Sequence, residues 1–259
     1  MIENNETKEI QYDLLKLLIK FDEICRNNKI NYSLHGGTLL GCIREKGFIP
    51  WDDDIDVSMN RLEYLKLKNV LKQDSDLDLD ELTNRFPQVW MKLDKRSSVW
   101  LDIFIWDPIS EIKVIQKLKI YILCIFLAFV KTPKMMYLST ESKKYTGIKH
   151  YVIYLIYLFG RLFPNSFKHN RAEWWAQHLT GRKKYIHRSN DLYAGMRLIL
   201  PIHVMQKYID GEFEGHKFMI SFYFDEILKS SYGDNYMIPI RMTQNETHTH
   251  NVARKLRDN

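Results

Sequence analysis

Residues 47–59, GFIPWDDDIDVSM, place four aspartates (Asp52, Asp53, Asp54 and Asp56) within five positions, behind Pro50 and Trp51. Ile55 and Val57 are threaded between and after the last of them, so the segment otherwise reads as a strand about to be buried. In a strand, residues two apart share a face, so Asp54 and Asp56 point one way while Ile55 and Val57 point the other, into a core. Two carboxylates side by side repel, and burying either alone is costly. A divalent cation resolves both difficulties. Hard cations such as Mg²⁺ or Mn²⁺ take oxygen ligands, and Mg²⁺ is usually held by one or two carboxylates together with substrate phosphates.

The neighbouring sequence strengthens this. Downstream, residues 89–93 and 99–105 are two strand-like runs joined by 94–98, which reads as a hairpin. Asp102 sits mid-strand in VWLDIFIW among residues that favour burial, so three carboxylates converge if its strand lies beside the one carrying Asp54 and Asp56. Upstream, Ile30, Tyr32 and Leu34 alternate with polar residues as in a strand, and Gly36-Gly37-Thr38 then opens a short apolar segment, LLGCIRE. Strand, glycine pair and helix start form the geometry in which backbone amides face an anion. A solvated acidic turn is the plain alternative for a DDD run, but the interleaved apolar residues, the glycine pair and Asp102 weigh against it. An EF-hand is excluded because Val57 stands at the sixth loop position, where the sharp turn needs glycine.

At 259 residues and 31.1 kDa the chain can bury a real core. Residues 8–28 place Ile10, Leu14, Leu17, Leu18, Phe21 and Cys25 at helical spacing, closed by Asn27-Asn28; residues 61–72 and 223–231 also read as helices. The three cysteines, Cys25, Cys42 and Cys124, lie far apart with no CxxC pair, which suits a reducing cytosol better than a disulfide framework or zinc knuckle. The start of the chain lacks a basic segment followed by an apolar one, so no secretory signal is expected. Net charge is +6, unevenly spread. Residues 111–190 hold 15 Lys and Arg against Glu111, Glu141 and Glu173, an excess of +12, which leaves −6 for the rest. Such a basic block points to an anionic partner.

Residues 35–66, HGGTLLGCIREKGFIPWDDDIDVSMNRLEYLK, closely resemble the signature of the LicD family, which includes bacterial phosphorylcholine transferases and, in animals, fukutin and fukutin-related protein. The resemblance continues in WLDIF and, near the end, in FEGHKFM and YGDNYMIP. It implies an α+β fold of nucleotidyltransferase type, a small mixed sheet flanked by helices. Gly36 and Gly37 match the family's turn, Asp54 and Asp56 its aspartate pair, and Asp102 its third acid. Two departures stand out: Ser221 occupies a position where many members carry proline, and Ile240 follows Pro239 where a second proline is common.

Together these readings predict a catalytic core over 1–110, a basic, apolar helical insertion over 111–190, and a segment over 191–259 that closes the catalytic domain. The resemblance implies a phosphotransferase moving an alcohol phosphate, such as phosphocholine, from a CDP-linked donor to a sugar hydroxyl of a cell-surface glycan or lipid-linked precursor, releasing CMP. Asp54, Asp56 and Asp102 would hold Mg²⁺ (or Mn²⁺) against the diphosphate, and Asp102 could also take the acceptor's proton. A nucleotidyltransferase using NTP and a non-catalytic membrane-surface module are the alternatives. Thr38 could donate to a phosphate or cap the helix. Arg44, inside the motif, could pair with the diphosphate, while Lys46 reads as surface charge. Asp52 and Asp53 read as turn-shaping or outer-shell residues. His248 is a candidate for the active-site rim and His250 a tail residue. Trp174-Trp175 could form a cation–π cage for choline, though helix packing explains the pair more simply. The runs 120–130 and 151–159 are too short to span a bilayer, which needs about 20 apolar residues. They suit either buried core helices or helices lying on an anionic membrane surface. Nucleic acid is not expected as a partner, because no binding module is recognisable. A cytoplasmic location is expected, peripheral on the inner face of the membrane if these helices dock there.

Overall fold

A computed structural model describes residues 5–73, 76–81, 87–91, 99–130 and 148–239. His248, His250, Ile240 and the 94–98 connection lie outside the described residues. The chain divides into two compact units: Met1–Leu79 with Gln88–Trp106 and Leu200–Asn259, and Asp80–Pro87 with Asp107–Ile199.

In the first unit, helix α1 (Asn5–Asn27) buries Ile10, Leu14, Leu17, Leu18, Phe21 and Cys25, the face that its spacing predicts. Lys29, in the left-handed region at φ 54°, turns the chain out of the helix. The strand expected from Ile30 is shorter than its alternation implies, because only β1 (Ser33–Leu34) joins the sheet. The residues before it find other partners: the Asn31 N–H donates to Glu63 Oε2 (2.9 Å), and the buried Tyr32 hydroxyl donates to Asp22 Oδ1 (2.7 Å). Helix α2 (Gly36–Arg44) follows directly, then β2 (Ile55–Asn60) and α3 (Arg61–Lys72). Asn60 caps α3 by accepting from the Glu63 N–H.

Strands β3 (Leu77–Asp80), β4 (Gln88–Met91) and β5 (Leu101–Ile109) complete the main sheet path in the order β1-β2-β5-β4-β3. The sheet is mixed. β2 runs antiparallel to β1 and parallel to β5, and β4 pairs antiparallel with β5, so the expected hairpin partners do meet. Ile55, Val57 and Met59 of β2 and Ile103 and Ile105 of β5 are all buried, each contributing about 1.5–3 kcal/mol of apolar burial.

From Asp107 onward β5 belongs to the second unit, which continues with α4 (Lys113–Val130), α5 (Ile148–Gly160), α6 (Asn165–Gln177), β6 (Tyr185–Arg188) and the short α7 (Tyr193–Met196); its boundary falls within β7 (Ile199–Pro201). β6 pairs with β5 and β7. Ile109, Ile120, Leu123, Ala176 and Met196 form a core here, with Trp175 packed against it. Lys119 is fully buried and donates to the Pro108 and Ala176 carbonyls (2.7 and 2.5 Å). Trp174 stacks on His178 and meets Trp175 edge-on, so helix packing accounts for Trp175 while Trp174 remains exposed.

The chain returns to the first unit through a 3₁₀ turn (Ile202–Met205), the hairpin β8 (Tyr208–Phe213) and β9 (His216–Ser221), and α8 (Phe224–Tyr232). Ser221 explains its departure from proline: its N–H donates to Ser33 Oγ on β1 (2.9 Å), a bond proline could not make. Ser33 is fully buried, so Ser33→Ala would leave that N–H unpaired. This substitution should destabilise the protein by about 1–3 kcal/mol, read as a melting temperature lower by several degrees in thermal unfolding.

Candidate active site

The acidic stretch is positioned by two strands and one helix start. Asp56 lies on β2 directly opposite Asp102 on β5 in the parallel register, so both side chains emerge on one face. Asp54 immediately precedes β2 and is close enough to Asp102 for its charge to raise the Asp102 pKa. The pattern of alternating burial along β2 is what brings them here, because Ile55 and Val57 must occupy the opposite side.

The glycine pair meets this cluster at close range. Gly36 has φ +53°, and a Cβ there would lie 2.9 Å from Asp56 Oδ2. A Cβ on Gly37 would lie 2.6 Å from Asp52 Oδ2. Both glycines therefore leave room for carboxylates. Thr38 sits at the third position inside α2, whose N-cap is His35, so the capping role weighed for it does not apply. Its Oγ1 instead accepts from the Asp56 N–H (3.0 Å), and the His35 N–H donates to the Asp56 carbonyl (2.9 Å). These two bonds tie the start of α2 to the strand that carries the aspartate.

Desolvation dominates the electrostatics. Asp102 is pushed up to about 7 by burial, with Asp54 adding to the rise and a hydrogen bond from Gln88 Nε2 to Oδ1 (2.8 Å) opposing it. Asp54 is raised by burial and by the charge of Asp53. Asp52 is raised by burial and by Asp54 and Asp53, and the Arg44 guanidinium holds it down in part. Arg44 also donates to Glu45 Oε1 (2.6 Å) and to the Tyr236 carbonyl (3.4 Å), which links α2 to the segment after α8.

Asp52 and Gln88 are the residues that sequence reasoning undervalued. Asp52 closes the turn at Pro50-Trp51, its N–H donating to the Ile49 carbonyl (2.9 Å), and its carboxylate also lies against Gly37. Its carbonyl accepts from Gln11 Nε2 of α1 (2.8 Å). The DDD run itself was the available signal for Asp52. Gln88 is the cross-strand neighbour of Asp102, a relation only the register reveals. Glu214, at the tip of the β8–β9 hairpin, accepts from the Phe48 N–H (2.9 Å) and so braces the turn leading into the acidic stretch.

Among the described residues, no three His, Cys, Asp or Glu side chains are gathered in ligating geometry. The expected convergence of Asp54, Asp56 and Asp102 is therefore met only in part: Asp56 and Asp102 stand opposite each other across the strands, and all three offer the oxygen ligands a hard cation takes. All the candidate donors are carboxylate oxygens, their charges are mutually destabilising, and burial raises Asp54 and Asp102 in the way a nearby positive charge would reverse.

The chain is similar to several known proteins. Residues 29–122 match the family model described as LicD/FKTN/FKRP, nucleotidyltransferase domain. The lipopolysaccharide cholinephosphotransferase LicD of Haemophilus influenzae is 30% identical over 93% of this chain and 95% of its own. Uncharacterised proteins of Rickettsia prowazekii and Rickettsia typhi are 37% and 35% identical over 60 residues, 23% of this chain and 23% and 19% of theirs.

Two outcomes follow from the geometry. Asp102 binds its proton more tightly in the folded protein than in the unfolded chain, where its ordinary value is 3.8. Its contribution to stability is therefore complete below about pH 4 and is lost as the pH rises through about 7. Asp102→Asn removes that loss and should stabilise the metal-free protein at pH 8 by on the order of 2–4 kcal/mol, with the difference vanishing near pH 4 in thermal unfolding. Gly37→Ala should displace the Asp52 carboxylate and destabilise the protein, whereas adding Asp52→Ala should recover most of the lost stability. A double-mutant cycle measures that coupling, and purely additive effects would mean the two residues do not interact.

Proposed function

The chain belongs to the LicD family, and on that premise we propose that it is a metal-dependent phosphotransferase moving an alcohol phosphate from a CDP-linked donor to a glycan hydroxyl. Phosphocholine is the proposed cargo and a lipopolysaccharide-type or other lipid-linked glycan the proposed acceptor, in line with the name of the H. influenzae relative. A nucleotidyltransferase-type core and a place at the inner face of the cytoplasmic membrane are part of the same proposal. The observation that carries it is the juxtaposition of Asp56 and Asp102 across the parallel register, with Asp54 near enough to Asp102 to raise its pKa and Gly36 against Asp56.

Asp54, Asp56 and Asp102 are the residues that would hold a Mg²⁺ or Mn²⁺ ion. When bound, such an ion neutralises the carboxylates and the donor diphosphate and polarises the phosphorus for attack. Asp52 and Asp56 lie against the glycine pair, so a diphosphate can approach the backbone there only once their charge is balanced. This is a physical reason for metal dependence. Gly36 and Gly37 then offer the close backbone approach, and the amides opening α2 bind phosphate oxygens. Thr38 keeps α2 fixed to Asp56. Arg44 supplies positive charge near Asp52.

In the transfer, the acceptor's hydroxyl oxygen forms a bond to the phosphorus of the alcohol phosphate. The bond from that phosphorus to the bridging oxygen of the diphosphate breaks, and CMP leaves with its electron pair. The hydroxyl proton passes to Asp102, which acts as the general base. Gln88 holds that carboxylate in place.

The decisive assay follows CMP release from CDP-choline in the presence of a glycan acceptor. Chelation should abolish turnover and Mg²⁺ should restore it. Asp54→Asn, Asp56→Asn and Asp102→Asn should each lower turnover by roughly two orders of magnitude or more while the fold persists. Near-normal turnover in any of them would remove that residue from the site. Pyrophosphate release from an NTP, without CMP release, would identify nucleotidyl transfer instead.

A further inference from the structure

Helix α4 buries Lys119, Ile120, Leu123 and Ala128, which is the face an amphipathic helix needs to join a core. It carries a second apolar stripe that the core does not use. Val114, Leu118, Tyr121 and Ile125, spaced four, three and four residues apart, all lie on the exposed side, with Val114 75% accessible and Tyr121 stacked at one edge on Tyr193. Helix α5 repeats the arrangement. Tyr157 is buried, whereas Tyr151, Leu155 and Leu158 and then Leu162 in the following turn are exposed at the same spacing, Leu162 to 74%. Two helices of one compact unit, each apolar on both its inner and an outer side, present more exposed apolar surface than scattered leucines would.

The charge around these stripes narrows the partner. Neither helix contains an Asp or Glu. The exposed Lys113 and Lys117 each precede a stripe residue on α4, and the exposed Arg161 precedes Leu162. The surrounding 111–190 segment carries the +12 excess. A second copy of this chain would bring like charges together on a shared face. No helix of the described residues is long and apolar enough to cross a membrane.

We propose that the outer faces of α4 and α5 dock on the surface of an anionic lipid bilayer, the aromatic and aliphatic side chains entering the headgroup region while Lys113, Lys117 and Arg161 meet lipid phosphates. Tyr121, Tyr151 and Tyr154 suit that depth, being apolar in body and polar at the tip. The lysines keep their ammonium groups at the phosphate level while their stems lie along apolar surface. Attraction of this kind fades within a Debye length, so it weakens as salt rises. The proposal does not rest on the transfer reaction and can fail or stand separately from it.

The test is flotation of the full chain with phosphatidylcholine vesicles and with vesicles that also contain phosphatidylglycerol, at low and high salt. Binding is expected to the anionic vesicles only and to diminish with salt. Leu118→Glu combined with Leu155→Glu should lower the bound fraction roughly tenfold or more, with the melting temperature unchanged because both side chains are already exposed. Absence of binding, or binding indifferent to lipid charge or to this double variant, would overturn the proposal. So would a solution dimer that the double variant dissociates without any vesicle binding, which would assign the faces to a second copy.

Discussion

The repulsion among Asp52, Asp53, Asp54 and Asp102 is the constraint around which the first unit is arranged. Two like charges about 4 Å apart at an effective dielectric near 20 cost about 4 kcal/mol, and desolvation adds to that. The opposite side of the same strands supplies the counterweight. Ile55, Val57, Met59, Ile103 and Ile105 are all buried, and at about 1.5–3 kcal/mol each they outweigh a single such repulsion. The strands hold the aspartates in place because their other face cannot leave the core. The polar surroundings reduce what remains: Gln88 donates to Asp102, Arg44 stands near Asp52, and the glycine pair leaves space where side chains would press the carboxylates still closer.

Much of this was legible in the sequence, because it follows from periodicity. The six apolar residues of α1 recur at helical spacing and all prove buried. The alternation around Asp54 and Asp56 marked a strand with one acidic face, and an aspartate inside VWLDIFIW needed a partner. Periodicity gives faces but not neighbours. Nothing in the spacing says that Asp102 stands opposite Asp56 or that Gln88 lies across from Asp102, since register is fixed by the whole sheet. The shortness of β1 was equally hidden. Ile30 to Leu34 alternates like a full strand, yet the Asn31 N–H is satisfied by a glutamate on another element, and the ladder is unnecessary there. Thr38 shows a third limit: a hydroxyl near a helix start looks like a cap, but the helix begins two residues earlier and the hydroxyl accepts from a strand instead.

The second unit follows a different logic. Its core is small and apolar, and it includes a fully buried lysine whose ammonium is satisfied by two backbone carbonyls. A buried lysine so placed fixes how the end of β5, α4 and α6 meet, because shifting any of the three would strand a charge away from its acceptors. Against that ordered interior, the outward stripes of α4 and α5 belong to surface chemistry. The sequence could not separate the two uses, since hydropathy alone assigns the same letters to both faces.

The β8–β9 hairpin carries a consequence for how the molecule is made. Ser221 reaches back to Ser33, Cys42 donates its thiol hydrogen to the Glu212 carbonyl, Arg26 pairs with Asp210, and Glu214 braces Phe48. Each of these contacts joins residues more than 160 positions apart, the kind of pairing that slows folding because long loops must close first. During synthesis the acidic cluster therefore emerges from the ribosome long before the hairpin that completes its unit, with residues 107–199, most of the second unit, made in between. The nascent chain must carry its carboxylates half-assembled until its last fifth is translated, so a truncation after β7 would leave the first unit unfinished even though every candidate ligand had already been made.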